Sequence, residues 1–298
     1  MNAKIFRSVL IVPANVPRFV EKACLRGAGA IVLDLEDSVP PEQKKDARND
    51  LEKAISLVGK GNAQVMVRIN NDPQLLESDL EAAVCQRTNA LFVPKVESPE
   101  QVVRLNYMIK EIEAVKGLDV GKIKFSIHIE SPLALLALEK IVLSSDRIES
   151  VSLGVDDYCF AMGIDLAKDA LALLFPMSQL IMVAKAHGIV PIGVLGSVAE
   201  YKNLQDFKNS AEKARDLGSE GSICVHPDQV GILNRVFSPS GESLSEARRI
   251  KAVFEEAVQT GRASTTLDGR MVDTPIYKRA LAIIERSEVI ARHENLKQ

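Results

Sequence analysis

Charged or polar side chains lie at the ends of most of the short, β-branched runs in this chain or directly after them. The residues at these positions are Asp34, Glu36 and Asp37 in LDLEDS, Arg68 and Asn70 in VRIN, Lys95 in VPK, Glu130 in HIE, Asp156 and Asp157 in VDD, and His226 in VHP. Paired carboxylates hold hard divalent cations, and a guanidinium stabilises an oxygen anion that forms during a reaction. These residue types therefore predict a site that combines a metal ion with a fixed positive charge.

Alternation along each run predicts which of these side chains point the same way. Residues two apart in a strand share a face. The residues that share a face are Glu130 with His128 and Ser126, Arg68 with Asn70, and Glu36 with Asp34. The apolar residues between them then face the opposite way. Because an unpaired charge in a protein interior is energetically costly, the charged side chains must pair with one another or bind a metal.

Glu130 and Asp157 are the residues best suited to bind a cation. Mg²⁺ usually takes one or two protein carboxylates and completes its octahedron with water and substrate oxygens. Two alternatives remain open at this point. The two carboxylates could pair with Arg68 and Lys95 in a structural ion network. Asp156 also competes with Asp157, because alternation lets only one of the two face inward.

The elements that must position these groups form a regular pattern of apolar runs and amphipathic stretches. The runs begin at Ile5, Ala30, Gln64, Ala90, Lys124, Val151, Val190 and Ser222. Helical stretches separate them, and the stretch Pro99 to Lys116 has its apolar residues at helical spacing. Repeated strand–helix units of this number predict a (β/α)₈ TIM barrel, in which catalytic groups lie at the carboxyl ends of the strands. A doubly wound sheet is the alternative, but neither GxGxxG nor a Walker-type loop follows the first run.

Beyond Phe237 the regular pattern stops. Two helical stretches follow, about Ser243 to Thr260 and about Thr274 to His293. We therefore predict that residues 1–237 form the barrel domain and that residues 238–298 form a C-terminal helical extension.

The composition argues against several classes of function. Lys and Arg total 37 and Asp and Glu total 40, so a net charge of −3 offers no positive field to attract nucleic acid or an anionic membrane. We expect the Lys44-Lys45 pair to lie on a solvated helix face. The apolar run before Pro13 is too short for a secretion signal and no stretch is long enough to span a bilayer, which favours a cytoplasmic protein. The cysteines lack metal-ligand spacing and GxSxG is absent, which argues against a zinc site and a serine hydrolase.

A set of short motifs recurs in a fixed order along the chain. They are RSVLIVPAN, LDLEDSV with a following AR, VRIN, VPKVES, IES, LGVDDY, VHPDQV and GRMVDTP. Together, and over nearly the whole length, they resemble the family of the citrate lyase β subunit and its stand-alone relatives. Those relatives include the malyl-CoA and citramalyl-CoA lyases of the HpcH/HpaI aldolase superfamily.

This resemblance implies a barrel enzyme with Mg²⁺ bound by Glu130 and Asp157, which favours the second aspartate of the VDD motif. It also implies that Arg68 binds an oxygen or carboxylate of a small acid. Glu36 and Asp37 would lie close to the metal and accept hydrogen bonds from its waters.

The same resemblance implies a role for the C-terminal extension. Asp273, in GRMVDTP, matches an acidic residue that relatives present from this extension, often into the site of a neighbouring subunit. Without the resemblance, Asp273 would be interpreted as an acid at a helix N-terminus before Thr274-Pro275. The resemblance further implies a homotrimer or a larger assembly of trimers.

The chain differs from the family pattern at two places. Ser222 follows Gly221 where relatives often have Lys, and Gly193 stands where relatives usually have Asp. Both positions lie where an acyl carrier or a substrate tail could pass.

The implied function is a Mg²⁺-dependent lyase that cleaves or forms a carbon–carbon bond of a 3-hydroxyacyl thioester, carried on CoA or on a carrier protein. Arg68 would neutralise the charge of the enolate, and Asp273, or in second place Glu36, would exchange the proton. Lys95 and Asp37 would contact the substrate.

Other classes of function remain as alternatives. One is a Schiff-base aldolase that uses Lys95, although the pair of carboxylates argues against it. Another is a citrate lyase β subunit that works only inside a complex with its carrier. The third is a regulatory protein that binds a metal and an oxo acid without turnover.

Overall fold

A computed structural model describes residues 5–165 and 170–295 of the chain. The chain divides into two units. One is Phe6–Val236, and the other is Phe237–Gln298 together with Met1–Ile5. Within the described ranges, no helix combines the length and the apolar character that a membrane crossing requires.

Eight parallel strands form the sheet of the first unit. They are β1 (Ser8–Pro13), β2 (Ala30–Asp34), β3 (Gln64–Arg68), β4 (Ala90–Val93), β5 (Lys124–Ile129), β6 (Ile148–Leu153), β7 (Val190–Ile192) and β8 (Ser222–Cys224). Neighbouring strands follow the order β7-β6-β5-β4-β3-β2-β1-β8, so the first strand pairs with both the second and the last. Helices connect the strands. The predicted TIM-barrel fold is confirmed, and each predicted apolar run overlaps one strand, although β6 begins at Ile148, before the predicted Val151.

The ring of strands is completed beside β7 and β8. Gly193 N donates to Gly221 O at 2.8 Å, and Glu220 N donates to Pro191 O at 2.9 Å. Gly221 also packs against the chain just before β1, where a Cβ atom would lie 1.7 Å from the carbonyl oxygen of Phe6. Only glycine fits at this approach of the last strand to the first.

The barrel interior has an apolar part and a polar part. Its apolar part consists of Phe6, Val9, Ala30, Val32, Met66, Ala90, Phe92, Ile192 and Ile223. Between β5 and β6 the interior is polar: Ser150 Oγ donates to Ser126 Oγ at 2.8 Å, and His128 Nδ1 lies 2.6 Å from Ser152 Oγ. The prediction that Ser126 and His128 share the inward face of β5 agrees with this arrangement.

The helices of the first unit follow the amphipathic stretches. They are α1 (Pro17–Ala23), α2 (Lys44–Asn49), α3 (Leu51–Val58), α4 (Pro73–Ala83), α5 (Pro99–Val115), α6 (Pro132–Leu136), α7 (Leu138–Val142), α8 (Val155–Met162), α9 (Leu174–Ala186), α10 (Leu204–Leu217) and α11 (Pro227–Val236). Helix α5 begins at Pro99 because Ser98 and Gln101 form a capping box before its buried stripe. Short helices α6 and α8 begin directly after β5 and β6.

A buried ion pair holds α5 at the amino end of the sheet. Arg147 Nη1 and Nη2 donate to Glu113 Oε1 and Oε2 at 2.9 and 2.6 Å. The same carboxylate accepts from Gly121 N and Ile123 N, and none of the Glu113 side chain is exposed. All four hydrogen bonds reach charged oxygens, so the desolvated carboxylate is fully satisfied.

The second unit contains two long helices and a hairpin. They are α12 (Gly241–Gln259), β9 (Thr265–Leu267), β10 (Arg270–Val272) and α13 (Thr274–Asn295). The two helices match the predicted stretches, and Phe254 of α12 stacks on Tyr277 of α13 with ring centroids 4.6 Å apart. The hairpin was not predicted, because each strand has only three residues. Its turn, Asp268-Gly269, has left-handed φ angles of 50° and 77° and is a known hairpin signal that the sequence did contain.

Candidate active site

A cleft of about 250 Å³ lies in the barrel unit, with many of its residues at or just beyond strand carboxyl ends. Its charged and polar lining comprises Ser38, Arg68, His128, Glu130, Asp156, Asp157 and Ser222. The carboxyl ends of β3, β5 and β6 therefore deliver the predicted guanidinium and carboxylates to one space. This is the end of a barrel at which catalytic groups are expected.

Arg68 is held by Asp34, its register partner on the neighbouring strand β2. Arg68 Nε donates to Asp34 Oδ1 and Nη2 donates to Oδ2, each at 2.6 Å. Burial raises the pKa of Asp34, but the hydrogen bonds and the charge of Arg68 outweigh burial and leave that pKa below its ordinary value. Asp34 also accepts from the backbone N–H groups of Glu36 and Ser38 at 2.9 and 3.1 Å. Periodicity predicted that Asp34 shares a face with Glu36, but its role in orienting Arg68 depends on the register of β2 against β3.

Glu36 lies between two cations. Its Oε2 is 3.2 Å from Arg68 Nη1, and its Oε1 accepts from Lys95 Nζ at 2.5 Å. Burial and the charge of Asp37 raise the pKa of Glu36, and the two cations offset this only in part. Lys95 Nζ also donates to Asp37 at 3.1 Å. The backbone of Lys95 is left-handed, with φ of 53°, a conformation that costs energy in any residue other than glycine and that clusters at functional sites.

Lys44 supports the loop that carries Glu36. Its Nζ donates to the carbonyl oxygens of Leu35 and Glu36 at 2.9 and 2.8 Å and to Asn70 Oδ1 at 2.9 Å. The prediction of a solvated Lys44 is therefore wrong, because the loop brings three acceptors to it. The prediction that Asn70 shares the inward face of Arg68 is also wrong. Strand β3 ends at Arg68, so alternation no longer applies, and Asn70 Nδ2 donates to Asp79 of α4 at 2.7 Å.

Glu130 follows β5 and carries a nearly buried carboxyl group, with 6% of the residue exposed. Its Oε2 is buried and has no hydrogen-bond partner among the described residues, and its Oε1 lies 3.5 Å from His128 Nε2. Burial, together with the negative charges of Glu36 and Asp157, raises the pKa of Glu130 to about 8. A buried carboxylate with a free oxygen and acidic neighbours requires a cation to be stable in its charged form.

Because Gly154 has no side chain, Glu130 and His128 can occupy the space beside it. A Cβ atom at this position would lie 2.5 Å from Glu130 Cγ and 2.8 Å from His128 Nε2. Burial lowers the pKa of His128 to about 3, so its imidazole is neutral at physiological pH. With Nδ1 against Ser152 and its ring beside Phe92, His128 is fixed next to Glu130.

Both aspartates of the VDD motif line the cleft. The expectation that alternation would turn only one of them inward is wrong, because β6 ends at Leu153 and both residues lie in the first turn of α8. Asp156 Oδ2 accepts from Ser197 Oγ at 2.9 Å. Asp157 is the one of the two whose charge contributes to the raised pKa of Glu130.

The residues present fit a hard divalent cation. Within the described ranges, no three or more His, Cys, Asp or Glu residues are grouped as a ready metal cage. Mg²⁺ does not require such a cage, because it is usually bound by one or two carboxylates and keeps several waters. Glu130, with its unpartnered oxygen, and the exposed Asp157 supply that pair of carboxylates.

Two other predicted residues act locally in their helices. Asp273 belongs to the second unit, where its Oδ1 accepts from Ile276 N at 3.2 Å in the first turn of α13, as expected of a helix N-terminal acid. His226 Nδ1 accepts from Asp228 N at 3.3 Å, and its ring stacks on Tyr201. These contacts leave the catalytic role of Asp273 a prediction.

The sequence matches a known protein family over most of its length. A model of the HpcH/HpaI aldolase/citrate lyase family matches residues 7–227. The citrate lyase subunit beta of Leuconostoc mesenteroides subsp. cremoris is 30% identical over 288 residues, which cover 95% of this chain and 94% of that protein. An L-malyl-CoA/beta-methylmalyl-CoA lyase of Cereibacter sphaeroides is 29% identical over 306 residues, which cover 96% of this chain and 95% of that protein.

A solved structure has a similar fold. The protein CitE from Mycobacterium tuberculosis, crystallised with magnesium, acetoacetate and coenzyme A, superposes with a TM-score of 0.75 at 24% identity. The match covers 97% of this chain and 100% of that one.

Proposed function

Because the chain belongs to the HpcH/HpaI aldolase/citrate lyase family, we propose that it is a Mg²⁺-dependent lyase that cleaves or forms a carbon–carbon bond of a 3-hydroxyacyl thioester. The family membership expected from the motifs is confirmed. The thioester substrate is supported by the malyl-CoA lyase relatives, and magnesium and coenzyme A by the M. tuberculosis CitE structure.

The observation that supports this proposal most strongly is the carboxylate of Glu130. It is buried, one of its oxygens lacks a hydrogen-bond partner among the described residues, and Asp157 repels it. We propose that Glu130 and Asp157 hold Mg²⁺. When bound there, the ion would supply Lewis acidity to the hydroxyl and carboxylate oxygens of the substrate.

Arg68 supplies the fixed positive charge of the site. Two of its nitrogens donate to Asp34, so the guanidinium plane is set before substrate arrives, and Arg68 lines the cleft. A preorganised cation stabilises a developing oxygen anion without the cost of reorienting. We propose that Arg68 binds the acid and stabilises the enolate, while Lys95 and Asp37 contact the substrate from the rim.

Cleavage requires the net transfer of one proton from the substrate hydroxyl group to C2 of the departing acyl thioester. The hydroxyl group loses a proton, the bond between C2 and C3 breaks, and its electron pair forms the enolate of the departing acyl thioester. That enolate then takes a proton at C2, and the other product is a 2-oxo acid. Asp273 is the first candidate for the proton exchange and Glu36 the second. Burial and the charge of Asp37 raise the pKa of Glu36, which favours its protonated form relative to an ordinary glutamate.

The test is a cleavage assay of malyl-, citramalyl- and citryl-CoA with the purified chain. We expect turnover with Mg²⁺, loss of turnover after chelation, and recovery when Mg²⁺ is restored. Glu130→Gln keeps the shape of the side chain and should lower kcat/KM by roughly 10²–10³-fold, the usual effect of losing a preorganised electrostatic group. Glu111→Gln, on the exposed face of α5, is the matched control. Turnover that survives thorough chelation would contradict the proposal.

A Schiff-base aldolase is the competing enzyme class. Its lysine must be neutral to attack a carbonyl group, and burial of Lys95 favours the neutral form. The hydrogen bonds and charges of Glu36 and Asp37 outweigh burial and raise the pKa of Lys95 above its ordinary value. We therefore expect no adduct on Lys95 when borohydride is added with a 2-oxo acid, and mass spectrometry would detect one.

A citrate lyase β subunit that needs its complex is the second candidate, and the relative from L. mesenteroides favours it. Turnover of free CoA thioesters by the purified chain would exclude this candidate. Co-purification with a carrier protein, combined with inactivity of the isolated chain, would support it. Oxo-acid binding without any turnover would instead indicate a regulatory protein. We also propose a homotrimer, which sedimentation of the purified chain would test.

A further inference from the structure

One side of the cleft is apolar. Three neighbouring positions in the barrel order, β7, β8 and β1, contribute to it. Its side chains, here called the apolar wall, are Ile11, Pro13, Val194, Val198, Ile223 and Val225. Strand β8 lies between the other two strands. Ser222 is the one polar side chain that these positions add to the described lining, and its Oγ donates to Ile223 O at 3.0 Å.

The charged groups come from other strands. Arg68 comes from β3, whereas Glu130 and Asp157 follow β5 and β6. Among the described residues that line the cleft, Arg68 is the only Lys or Arg. Its Nε and Nη2 already donate to Asp34, and its Nη1 lies 3.2 Å from Glu36. The lining therefore offers one partly committed cation to a substrate. Lys95, at the rim, is outside this lining, and its Nζ already donates to Glu36 and Asp37.

A bound hydroxy acid would place different chemical groups against these two sides of the cleft. Its hydroxyl and adjacent carboxylate are the groups that the metal and Arg68 would bind. The remaining substituent on the hydroxyl-bearing carbon, and the methylene of the acyl group, are then left to face the apolar wall. A hydrogen atom or an alkyl group gains from burial there, whereas a second carboxylate would lose its water without a cationic partner.

We infer that the small acid carries hydrogen or a short alkyl group, and not a carboxymethyl group, at its hydroxyl-bearing carbon. The apolar wall selects against an additional carboxylate. This inference rests on the proposed lyase function and specifies its substrate class: the 2-oxo acid product has a single carboxylate.

The experiment compares kcat/KM for malyl-, citramalyl- and citryl-CoA at saturating Mg²⁺. We expect each of the first two to exceed citryl-CoA by at least about 100-fold, since sites that leave a polar group unpaired discriminate by factors of this order or more. A smaller ratio, or a preference for citryl-CoA, would overturn the inference and leave the lyase function intact. Failure of all three thioesters to react would overturn both.

A variant of the wall provides a second, independent measurement. Val225 is 41% exposed, so an arginine side chain is accommodated there more easily than at the buried Val194. Val225→Arg should raise the ratio of kcat/KM for citryl-CoA over citramalyl-CoA at least about tenfold, by supplying the missing cation. Val115→Arg, at the exposed end of α5 where the valine is 88% exposed, should leave that ratio unchanged. An unchanged ratio in a folded Val225→Arg enzyme would contradict the role of the wall.

Discussion

Asp34 and Arg68 face each other across neighbouring strands and join through two parallel hydrogen bonds of 2.6 Å. Asp34 has no exposed surface, so the pair is formed away from water. The guanidinium that lines the cleft is thus oriented by a residue that does not line it.

Replacing Asp34 by Asn should free Arg68 to turn toward Glu36. We expect kcat/KM to fall by roughly 10–100-fold, since a supporting residue of this kind typically has such an effect. Stability should fall by about 3 kcal/mol, as for other broken buried ion pairs. Urea unfolding and steady-state kinetics measure the two effects. Asp216→Asn breaks the exposed Arg215–Asp216 pair and should change neither. Equal effects of the two substitutions would show that Asp34 has no special role.

Magnesium binding should depend on pH through Glu130. Burial and acidic neighbours raise the pKa of this carboxyl group to about 8 without metal, so at neutral pH it holds a proton that the cation must displace. The apparent affinity should therefore increase about tenfold per pH unit between about pH 6 and 7.5 and level off above about pH 8.5. Calorimetry in buffers of different ionisation enthalpy would detect the released proton. An affinity that does not change over this range would contradict the assignment.

Gly154→Ala should displace Glu130, because a methyl group there would lie 2.5 Å from its Cγ. We expect magnesium affinity to fall by roughly 10–100-fold, while the fold is retained. Equilibrium dialysis and circular dichroism would measure these two properties. The matched control is Gly241→Ala, where a Cβ atom meets nothing within 4 Å. Unchanged magnesium affinity in the Gly154→Ala protein would argue against Glu130 as a ligand.

The Glu113–Arg147 pair should make the free energy of unfolding depend on pH in the acidic range. Burial raises the pKa of Glu113, but the hydrogen bonds from Arg147 and two backbone N–H groups outweigh it and lower that pKa below the ordinary 4.5. The unfolded chain then takes up a proton at a higher pH than the folded protein does. The stability from this pair is present at neutral pH and is lost as the pH falls below about 4.5.

Glu113→Gln tests this pair. The variant should be less stable by about 3 kcal/mol at pH 7, with a shallower loss of stability in acid. Thermal unfolding across a pH series measures both, and Glu111→Gln, on the exposed face of the same helix, should follow the original protein. If the stability of Glu113→Gln fell with pH in parallel with that of the original protein, other carboxylates would determine the acid dependence of stability.

The sequence allowed the barrel and the end that carries the site to be predicted, because both follow from local periodicity. Alternation was reliable inside the strands, as His128 shows, and failed at two positions that lie two and three residues beyond a strand end. Asn70 and Asp156 are the examples, since neither lies in a strand.

Contacts between distant segments were beyond the reach of such patterns. Lys44 donates to the carbonyl oxygens of Leu35 and Glu36, which the fold of the loop after β2 brings to it. The space that Glu130 occupies exists because Gly154 has no side chain. The register of β2 against β3, which joins Asp34 to Arg68, appears only once the sheet has formed.

Gly221 affects how this protein would fail if it were changed. Gly221, just before β8, lies against the carbonyl oxygen of Phe6, just before β1, so the first and last strands join at this close approach. A larger residue would leave the ring open as a horseshoe with two unprotected strand edges, and such edges recruit other chains. The first sign of a Gly221→Val substitution would then be insoluble protein in the cell, before any change in catalysis could be measured.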